Sequence, residues 1–261
     1  MKSFNFKTAT STKEATKLFS GRSAFLAGGM TLLPAIKLRL AAYSDLINIK
    51  KIKGLLSIKA SSKSLKIGSA ATHAAVAASK EVIKSIPSLS VLAEGIGDPQ
   101  VRNRGTIGGS IANNDPAADY PSACLALNAN IHTGKRKIPA DKFFKGMFET
   151  DLKKGELIEA IEFEIPEKSA YAKFPNPASR YAIVGVYIAK FKKEVRVAIT
   201  GAGSSVFRSK ELESALSSNF SESAVNSINI SNKDLNSDIH ASNDYRAHLI
   251  KVMAKKAISN C

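Results

Sequence analysis

The sequence has few of the residues that bind metal ions or form disulfides. Its 261 residues include 2 cysteines and 4 histidines, and these are scattered along the chain. An iron–sulfur centre needs a cluster of cysteines, and a zinc site needs closely spaced cysteine and histidine ligands. We therefore expect no metal site in this chain, so any redox chemistry requires an organic cofactor. The distance between Cys124 and Cys261 also indicates a reducing compartment without a disulfide framework.

Long apolar runs are also missing. No run approaches the roughly 20 residues that a membrane-spanning helix requires. Residues 1–7 lack the hydrophobic core and the cleavage site of a signal peptide. We therefore expect no membrane span and a cytoplasmic location.

Acidic residues are outnumbered by basic ones, 22 to 38, which gives a formal net charge of +16. An excess of this size is compatible with nucleic-acid binding. The lysines are spread thinly, however, and the densest run, residues 50–53, has no interleaved aromatic residues. We interpret the charge as a lysine-rich solvated surface and expect no nucleic-acid partner. An acidic partner subunit is a further explanation for part of it.

The first third of the chain alternates strand and helix patterns, which predicts a small α/β layer. Ser11 followed by Glu14 is a capping-box pattern at the start of a helix. The predicted strands of this layer are residues 4–6, 24–27 and 46–49, and a short basic helix follows Pro34.

Farther along the chain the pattern is mixed, with strands, short helices and a long loop. Thr72 and Pro87 begin helices, and a long glycine-rich loop runs from Gly95 to Asp119. Asp119 is expected to cap the helix that follows it, which extends to Leu127. The predicted strands of this region are residues 55–58, 65–68, 131–133 and 157–165.

The last third of the chain predicts a hairpin followed by helices. Two prolines make residues 170–180 typical of a linker or surface loop. Residues 181–191 and 195–200 alternate as an antiparallel hairpin does. Helical patterns follow at residues 209–216, 221–228 and 244–258.

A first glycine turn, residues 27–33, lies between a predicted strand and a predicted helix. Its Gly28-Gly29 pair allows close approach of an anionic group, and its N–H groups are donors for such a group. An ordinary strand-to-helix turn is the alternative interpretation, since Gly-Gly is common in such turns.

A second glycine turn, residues 104–110, lies within the long loop. Like the first turn, it is expected to offer backbone N–H donors to an anionic group. Thr106 and Ser110 stand beside its glycines and supply hydroxyl donors for phosphate oxygens. Asp119 is suited to accept hydrogen bonds from ribityl or ribose hydroxyls. Asp115 is interpreted as bonding to the loop backbone, because a carboxylate repels phosphate.

A third glycine-rich segment, residues 201–206, follows a strand and approaches a dinucleotide fingerprint. Val206 replaces the third glycine, and no helix or acidic residue follows at the required distance, so we interpret the segment as structural. The phosphate-binding loop of nucleoside triphosphatases is missing, and no arrangement typical of a nucleophilic enzyme stands out.

The two glycine turns together carry a family resemblance. Residues 27–34 and 98–110 resemble the FAD-binding medium subunits of the molybdenum hydroxylases, with the aerobic carbon-monoxide dehydrogenase medium subunits as the nearest branch. Further resemblance extends over residues 67–73, 155–158, 178–186 and 245–246, so it covers nearly the whole chain. Met30 departs from the family, which usually has a polar residue there.

The resemblance implies an α+β fold. It implies a two-part FAD-binding domain of the vanillyl-alcohol oxidase-like (PCMH) type over residues 1–167, with subdomains at about 1–53 and 54–167. A smaller C-terminal domain with an antiparallel sheet and helices would occupy residues 168–261.

The resemblance also implies the cofactor-binding residues. The glycine turns would hold the FAD diphosphate, Asp119 the sugar chain and Ile158 the adenine side, with Lys173 near the flavin and Tyr181 against the isoalloxazine. The full set implied is Ala27, Gly28, Gly29, Met30, Thr31, Leu32, Thr106, Ile107, Gly108, Gly109, Ser110, Asn113, Asp119, Ile158, Lys173 and Tyr181.

The implied function is electron transfer. A large molybdenum-binding partner would oxidise substrate, a small partner with 2Fe–2S clusters would deliver electrons to FAD here, and an external acceptor would receive them; a dimer of heterotrimers is implied. This chain would then contain no catalytic acid or base. Two alternatives stay open: a stand-alone FAD oxidoreductase of the same superfamily, and a basic scaffold protein without flavin.

Overall fold

The computed structural model describes residues 2–261, so Met1 of the predicted first domain lies outside the described residues. The chain has helices together with two larger antiparallel sheets, which confirms the α+β class. The strands are β1 (Asn5–Thr8), β2 (Ser23–Leu26), β3 (Asp45–Asn48), β4 (Ile58–Ala60), β5 (Ser64–Gly68), β6 (Asn130–Thr133), β7 (Lys137–Pro139), β8 (Phe144–Gly146), β9 (Glu149–Thr150), β10 (Ile158–Glu164), β11 (Lys168–Pro175), β12 (Ala182–Lys190), β13 (Val195–Thr200) and β14 (Phe207–Arg208). The helices are α1 (Thr12–Leu18), α2 (Leu32–Lys37), α3 (His73–Ala78), α4 (Lys80–Ser85), α5 (Pro87–Glu94), α6 (Pro99–Arg104), α7 (Ile107–Asn113), α8 (Tyr120–Ala126), α9 (Ala140–Phe143), α10 (Lys210–Ser218), α11 (Glu222–Asn226) and α12 (Asn243–Ser259).

The sequence predicts a small α/β layer here, and the structure has a three-stranded parallel sheet in the order β1-β3-β2. Parallel neighbours need crossover connections, which α1 and α2 provide. Ser11 caps α1 by accepting a hydrogen bond from the backbone N–H of Glu14 at 3.1 Å. Because β2 leads directly through the first glycine turn into α2, this sheet positions that turn.

The middle of the chain forms a five-stranded antiparallel sheet in the order β4-β5-β10-β6-β7. Its buried face carries Leu65, Ile67, Ile131 and Phe163, which pack in one core with residues of α5, α7 and α8. The helices predicted from Thr72 and Pro87 are α3 and α5. This core supports α7, which carries most of the second glycine turn.

The C-terminal sheet is antiparallel in the order β11-β12-β13-β14, and its β12–β13 hairpin confirms the sequence prediction. Alternate residues of β12 belong to different cores. Val184 and Val186 pack with α10 and α12, while Tyr187 and Ala189 pack with the middle of the chain. A strand that is buried on both faces reads as a continuous apolar run.

Residues 170–180 are not a linker, and that prediction is wrong for most of the segment. Residues 168–175 form β11, which pairs with β12 from Lys168 opposite Lys190 to Phe174 opposite Val184. Pro175 stands at the end of the strand, where the missing N–H disrupts little. The strand that pairs with β11 is β12, which lies later in the chain. The local sequence shows only the two prolines, which are typical of a loop, and therefore predicts no strand.

The prediction of a long loop from Gly95 to Asp119 is also wrong, because this segment contains α6 and α7. Asp98 caps α6 by accepting from the N–H of Val101 at 2.8 Å, and Pro99 occupies the first helical position. Thr106 caps α7 by accepting from the N–H of Gly109 at 3.1 Å. Both helices have six or seven residues, too few for a clear hydrophobic period.

Some sequence expectations concern absences. No helix within residues 2–261 is long and apolar enough to cross a membrane. The same residues contain no group of three or more histidine, cysteine, aspartate or glutamate side chains placed to hold a metal ion. Cys124 and Cys261 are free cysteines, and Cys124 is buried.

The packing of β12 against β11 predicts that Gly185 tolerates no side chain. A Cβ there would lie 2.4 Å from the hydroxyl of Tyr171 and 2.9 Å from Cγ2 of Thr200. We expect Gly185→Ala to lower the free energy of unfolding by about 1–3 kcal/mol, measured by urea denaturation. Gly54→Ala is the control, because its Cβ would meet nothing within 4 Å. Equal stability of the two variants would contradict this packing.

Candidate functional site

A cavity of about 790 Å³ lies where the N-terminal sheet, the middle sheet and residues 179–181 meet. Both glycine turns line it. They also touch each other, since a Cβ on Gly28 would lie 2.1 Å from the carbonyl oxygen of Arg104 and 2.8 Å from Cα of Gly105. The structure therefore brings two turns that are far apart in sequence into backbone contact at one wall of the cavity.

The first turn has unused hydrogen-bond donors. The backbone N–H groups of Gly28, Gly29, Met30 and Thr31 make no hydrogen bond with any of residues 2–261. Gly29 has a φ of +78°, a conformation that glycine adopts readily and that lets the turn bend before α2. Clustered N–H groups that lack protein acceptors are suited to bind an anion.

The second turn differs, because the N–H groups of residues 107–110 are used within the protein. Ile107 donates to the carbonyl of Ala71 and Gly108 to that of Ser69, and Gly109 and Ser110 donate to the side chain and the carbonyl of Thr106. The expectation that both turns offer backbone donors is therefore wrong for residues 107–110 of the second turn. The hydroxyl of Thr106 accepts one hydrogen bond as a cap, which leaves its proton free to donate.

The glycines of the second turn allow other groups to come close to its backbone. A Cβ on Gly108 would lie 2.5 Å from Cβ of Ser69, so this glycine lets α7 pack closely on the chain before α3. A Cβ on Gly109 would meet only the hydroxyl of Thr106, at 2.9 Å. The exposed face of Gly109 is directed into the cavity, where a bound group can approach the backbone.

Asp119 lies in the cavity wall and is held from the C-terminal sheet. Its Oδ1 accepts hydrogen bonds from the hydroxyl of Tyr171 at 2.5 Å and from Nζ of Lys173 at 2.9 Å. Burial raises the pKa of Asp119, and Lys173 and Tyr171 oppose that shift by favouring the carboxylate. The predicted side-chain cap on α8 is wrong, because the carboxylate makes no bond to the N–H groups of that helix.

Lys173 has three partners that fix it behind the cavity wall. Besides Asp119, its Nζ donates to the carbonyl oxygens of Gly95 at 2.9 Å and Arg180 at 3.0 Å. Asp115 bonds to the loop backbone, as the sequence predicts, by accepting from the N–H of Ala117 at 2.9 Å.

Tyr181 and Met30 present apolar surface at the cavity. Tyr181 is 45% exposed and Met30 40% exposed. Burial, followed by the nearby charges of Asp115 and Asp119, raises the pKa of the Tyr181 hydroxyl, so that hydroxyl is neutral near pH 7. An exposed neutral ring at a cavity is available to stack on a flat ligand.

A second apolar part of the cavity forms around Phe19 and Phe25, whose ring centroids are 5.0 Å apart. A Cβ on Gly155, where φ is +74°, would lie 2.9 Å from the ring of Phe19. The segment that contains Gly155 thus packs directly on this aromatic pair. Ile158 follows it and also lines the cavity.

An arginine–glutamate pair fixes the segment that contains Gly155. Arg136 donates to both carboxylate oxygens of Glu156 at 2.8 Å, and Thr133 donates to Glu156 at 2.9 Å. These bonds, with Arg136 first, lower the pKa of Glu156 to about 2. Arg136 also pairs with Asp151 at 2.6 Å, so one guanidinium holds both ends of the segment.

The structure brings nearly all of the sequence-predicted site residues together. Ile107 and Lys173 do not line the cavity: Ile107 is fully buried in the core, and Lys173 lies behind Asp119. The predicted residues that do line it are Ala27, Gly28, Gly29, Met30, Thr31, Leu32, Thr106, Gly108, Gly109, Ser110, Asn113, Asp119, Ile158 and Tyr181.

Sequence reasoning missed several lining residues, among them Phe19, Phe25, Tyr43, Ser69 and His73. In the sequence the aromatic residues are indistinguishable from ordinary core residues, so nothing in their pattern indicates a place in the cavity wall. Ser69 and His73 belong to a run of small residues between a strand and a helix, which is the one signal available for them. The segment 201–206 lies outside this cavity, as expected of a structural turn, and Gly201 in it has a φ of +80°.

Comparison with known proteins shows similarity over nearly the whole chain. Residues 2–167 match the family described as the FAD binding domain in molybdopterin dehydrogenase. The chain is 34% identical to a glyceraldehyde dehydrogenase medium chain from Sulfolobus acidocaldarius, over 97% of this chain and 96% of that one. It is 32% identical to the 6-hydroxypseudooxynicotine dehydrogenase complex subunit alpha of Paenarthrobacter nicotinovorans, over 98% and 94% of the two chains.

The fold is also found in solved structures. A carbon monoxide dehydrogenase from Hydrogenophaga pseudoflava, which lacks the Mo-pyranopterin moiety of its molybdenum cofactor, superimposes with a TM-score of 0.87 at 29% identity. The superposition covers 99% of this chain and 96% of that one.

The Arg136–Glu156 pair predicts a loss of stability in acid. The carboxyl of Glu156 has a pKa of about 2 when folded and an ordinary value of 4.5, so its contribution is complete above pH 4.5 and disappears as pH falls through 2. We expect Glu156→Gln to cost about 1–3 kcal/mol at pH 7 and to flatten the decline in stability between pH 4.5 and 2. Thermal melts at several pH values measure both. If the stability of Glu156→Gln fell between pH 4.5 and 2 as steeply as that of the unmodified chain, the Arg136–Glu156 pair would not couple to folding.

Proposed function

The chain belongs to the family of FAD-binding domains of molybdopterin dehydrogenases, and from this we propose that it is the FAD-carrying, electron-transferring subunit of a molybdenum hydroxylase complex. The observation that supports the proposal most strongly is the contact of two glycine turns beside a cavity, with free N–H groups in one turn. The cavity volume, about 790 Å³, lies in the range of roughly 300–1,000 Å³ typical of ligand sites. Its donors and apolar surfaces fit a ligand with an anionic centre and flat rings.

In this proposal the chain's own residues bind and orient FAD. The N–H groups of Gly28 to Thr31 hold the diphosphate, Gly109 allows it to approach closely, and Gly108 keeps α7 in place against Ser69. Asp119, fixed by Tyr171 and Lys173, accepts hydrogen bonds from the sugar chain. Ile158 packs beside the adenine, and Tyr181 covers the isoalloxazine and excludes water. Bound FAD supplies the electron storage and transfer, as is general for cofactor enzymes.

The domain division follows from the same proposal. Residues 1–167 form the FAD-binding domain, with subdomains at about 1–53 and 54–167, and residues 168–261 form the C-terminal domain. The family match over residues 2–167 supports this boundary. Lys173 and Tyr181 then belong to the second domain, so this domain takes part in holding the cofactor.

The proposed partners are a large molybdenum-binding subunit and a small subunit with 2Fe–2S clusters, in a dimer of heterotrimers. The small subunit delivers electrons to FAD, and an external acceptor receives them. The designation of the relatives as medium chains or complex subunits supports such an assembly. The net charge of +16 suits an acidic partner surface. The names of these two relatives refer to different compounds, glyceraldehyde and 6-hydroxypseudooxynicotine, although both chains are similar to this one. This difference is consistent with a substrate that is selected by another subunit.

Purification of the full chain with the proteins that accompany it in its own cells tests the proposal. We expect one FAD per chain, and iron and molybdenum in the chains that copurify. A preparation without flavin would favour the scaffold alternative. A flavin-containing chain without iron or molybdenum partners would favour the stand-alone oxidoreductase.

The placement of the diphosphate predicts the effect of a side chain at Gly109. In Gly109→Val the branched side chain fills the space where the diphosphate approaches, so we expect the affinity for FAD to fall at least about 100-fold, or roughly 3 kcal/mol. The fold should survive, because the new Cβ meets only the Thr106 hydroxyl. Fluorescence titration of FAD into the deflavinated chain measures the affinity. Gly54→Val, whose Cβ would meet nothing within 4 Å, is the control. Stoichiometric FAD in Gly109→Val would contradict the placement.

A further inference from the structure

His73 lies at the junction of the two glycine turns, and the proposed function has not used it. It is the first residue of α3, lines the cavity and is 5% exposed. A Cβ on Gly105 would lie 2.5 Å from Nε2 of His73. Gly105 in turn packs against Gly28, so the imidazole reaches the place where the two turns touch.

The two ring nitrogens of His73 have different surroundings. Nδ1 is enclosed and has no hydrogen-bond partner within residues 2–261, whereas Nε2 is not enclosed in this way. A buried N–H without an acceptor is rarer in proteins than a buried acceptor without a donor. The favoured tautomer therefore carries its proton on Nε2, and this tautomer presents an N–H donor beside Gly105.

The ring is fixed in this orientation and is uncharged. Its plane packs against Tyr120, with ring centroids 5.4 Å apart, and the backbone N–H of His73 donates to the carbonyl of Gly105 at 3.0 Å. Burial, with a smaller effect from Arg102, lowers the pKa of His73 to about 4. The imidazole is therefore neutral near pH 7, where only one of its nitrogens can donate.

We propose that His73 is an uncharged donor to the FAD diphosphate through Nε2–H, placed where the two glycine turns meet. This inference rests on the proposed function. Residues 107–110 of the second turn use their own N–H groups in protein bonds, so apart from the N–H of Thr106 the donors on this side of the cavity come from side chains. Thr106 and Ser110 supply hydroxyls there, and His73 supplies a rigid N–H. Gly105 is required in this arrangement, because a Cβ there would lie 2.5 Å from Nε2 and displace the ring.

Titration of FAD into the deflavinated full chain tests the inference with two substitutions. His73→Leu removes the donor and keeps an apolar side chain of similar size, and we expect it to weaken FAD binding about 10- to 100-fold. His73→Gln places an amide near the position of Nε2, and we expect it to stay within about threefold of the unmodified chain. Circular dichroism and melting temperature check that both variants fold.

The outcomes separate this inference from the proposed function. Failure of the unmodified chain to bind FAD overturns the proposed function and this inference with it. If the unmodified chain binds FAD and His73→Leu binds equally well, or if His73→Gln loses as much affinity as His73→Leu, only the donor role is overturned.

A second measurement does not depend on any variant folding. Nitrogen-15 NMR of the imidazole groups in the unmodified chain reports the tautomer directly. We expect the proton on Nε2 before FAD is added, and a downfield shift of that proton once FAD is bound. A proton on Nδ1, or an unperturbed Nε2 proton in the flavin-loaded chain, would overturn the inference.

Discussion

Gly28 lies so close to Arg104 and Gly105 that no side chain fits between the two backbones. This contact joins a turn of the N-terminal sheet to a turn supported by the middle core, and the wall of the cavity exists only because of it. The same closeness repeats at Gly105 against His73 and at Gly108 against Ser69. Three positions around this junction therefore have to lack a side chain, since a Cβ at any of them would push the packed neighbours apart.

The two turns contribute in different ways once they are in contact. The first has unpaired N–H groups, whereas the second uses the N–H groups of residues 107–110 to fix α7 and contributes space and hydroxyls. An anion held at this junction is bound mainly from one side by the backbone and from the other by side chains. Neutral donors such as a hydroxyl or an imidazole avoid the cost of burying an unpaired charge when the ligand is absent.

The C-terminal sheet is tied to the cavity through Asp119. Tyr171 and Lys173 come from alternate positions of the same strand, β11, and both reach this one carboxylate. Burying an isolated carboxylate is costly, so the two donors are needed for Asp119 to stay in the wall. Strand β11 lies outside residues 2–167, which match the family, and it thereby fixes the position of Asp119 inside that segment.

The sequence by itself determined the elements whose signals are local: the α1 and α3 caps, the N-terminal α/β layer, the β12–β13 hairpin and the two glycine turns. Through the family resemblance it also indicated most of the residues around the cavity. Only the tertiary structure decided that residues 168–175 are a strand, that Asp119 pairs with Tyr171 and Lys173 instead of capping α8, and that the N–H groups of Ile107 and Gly108 bond to Ala71 and Ser69. The physical reason is the same in each case: the partner that satisfies the hydrogen bond or covers the apolar face lies far away in the chain, and local periodicity carries no information about it.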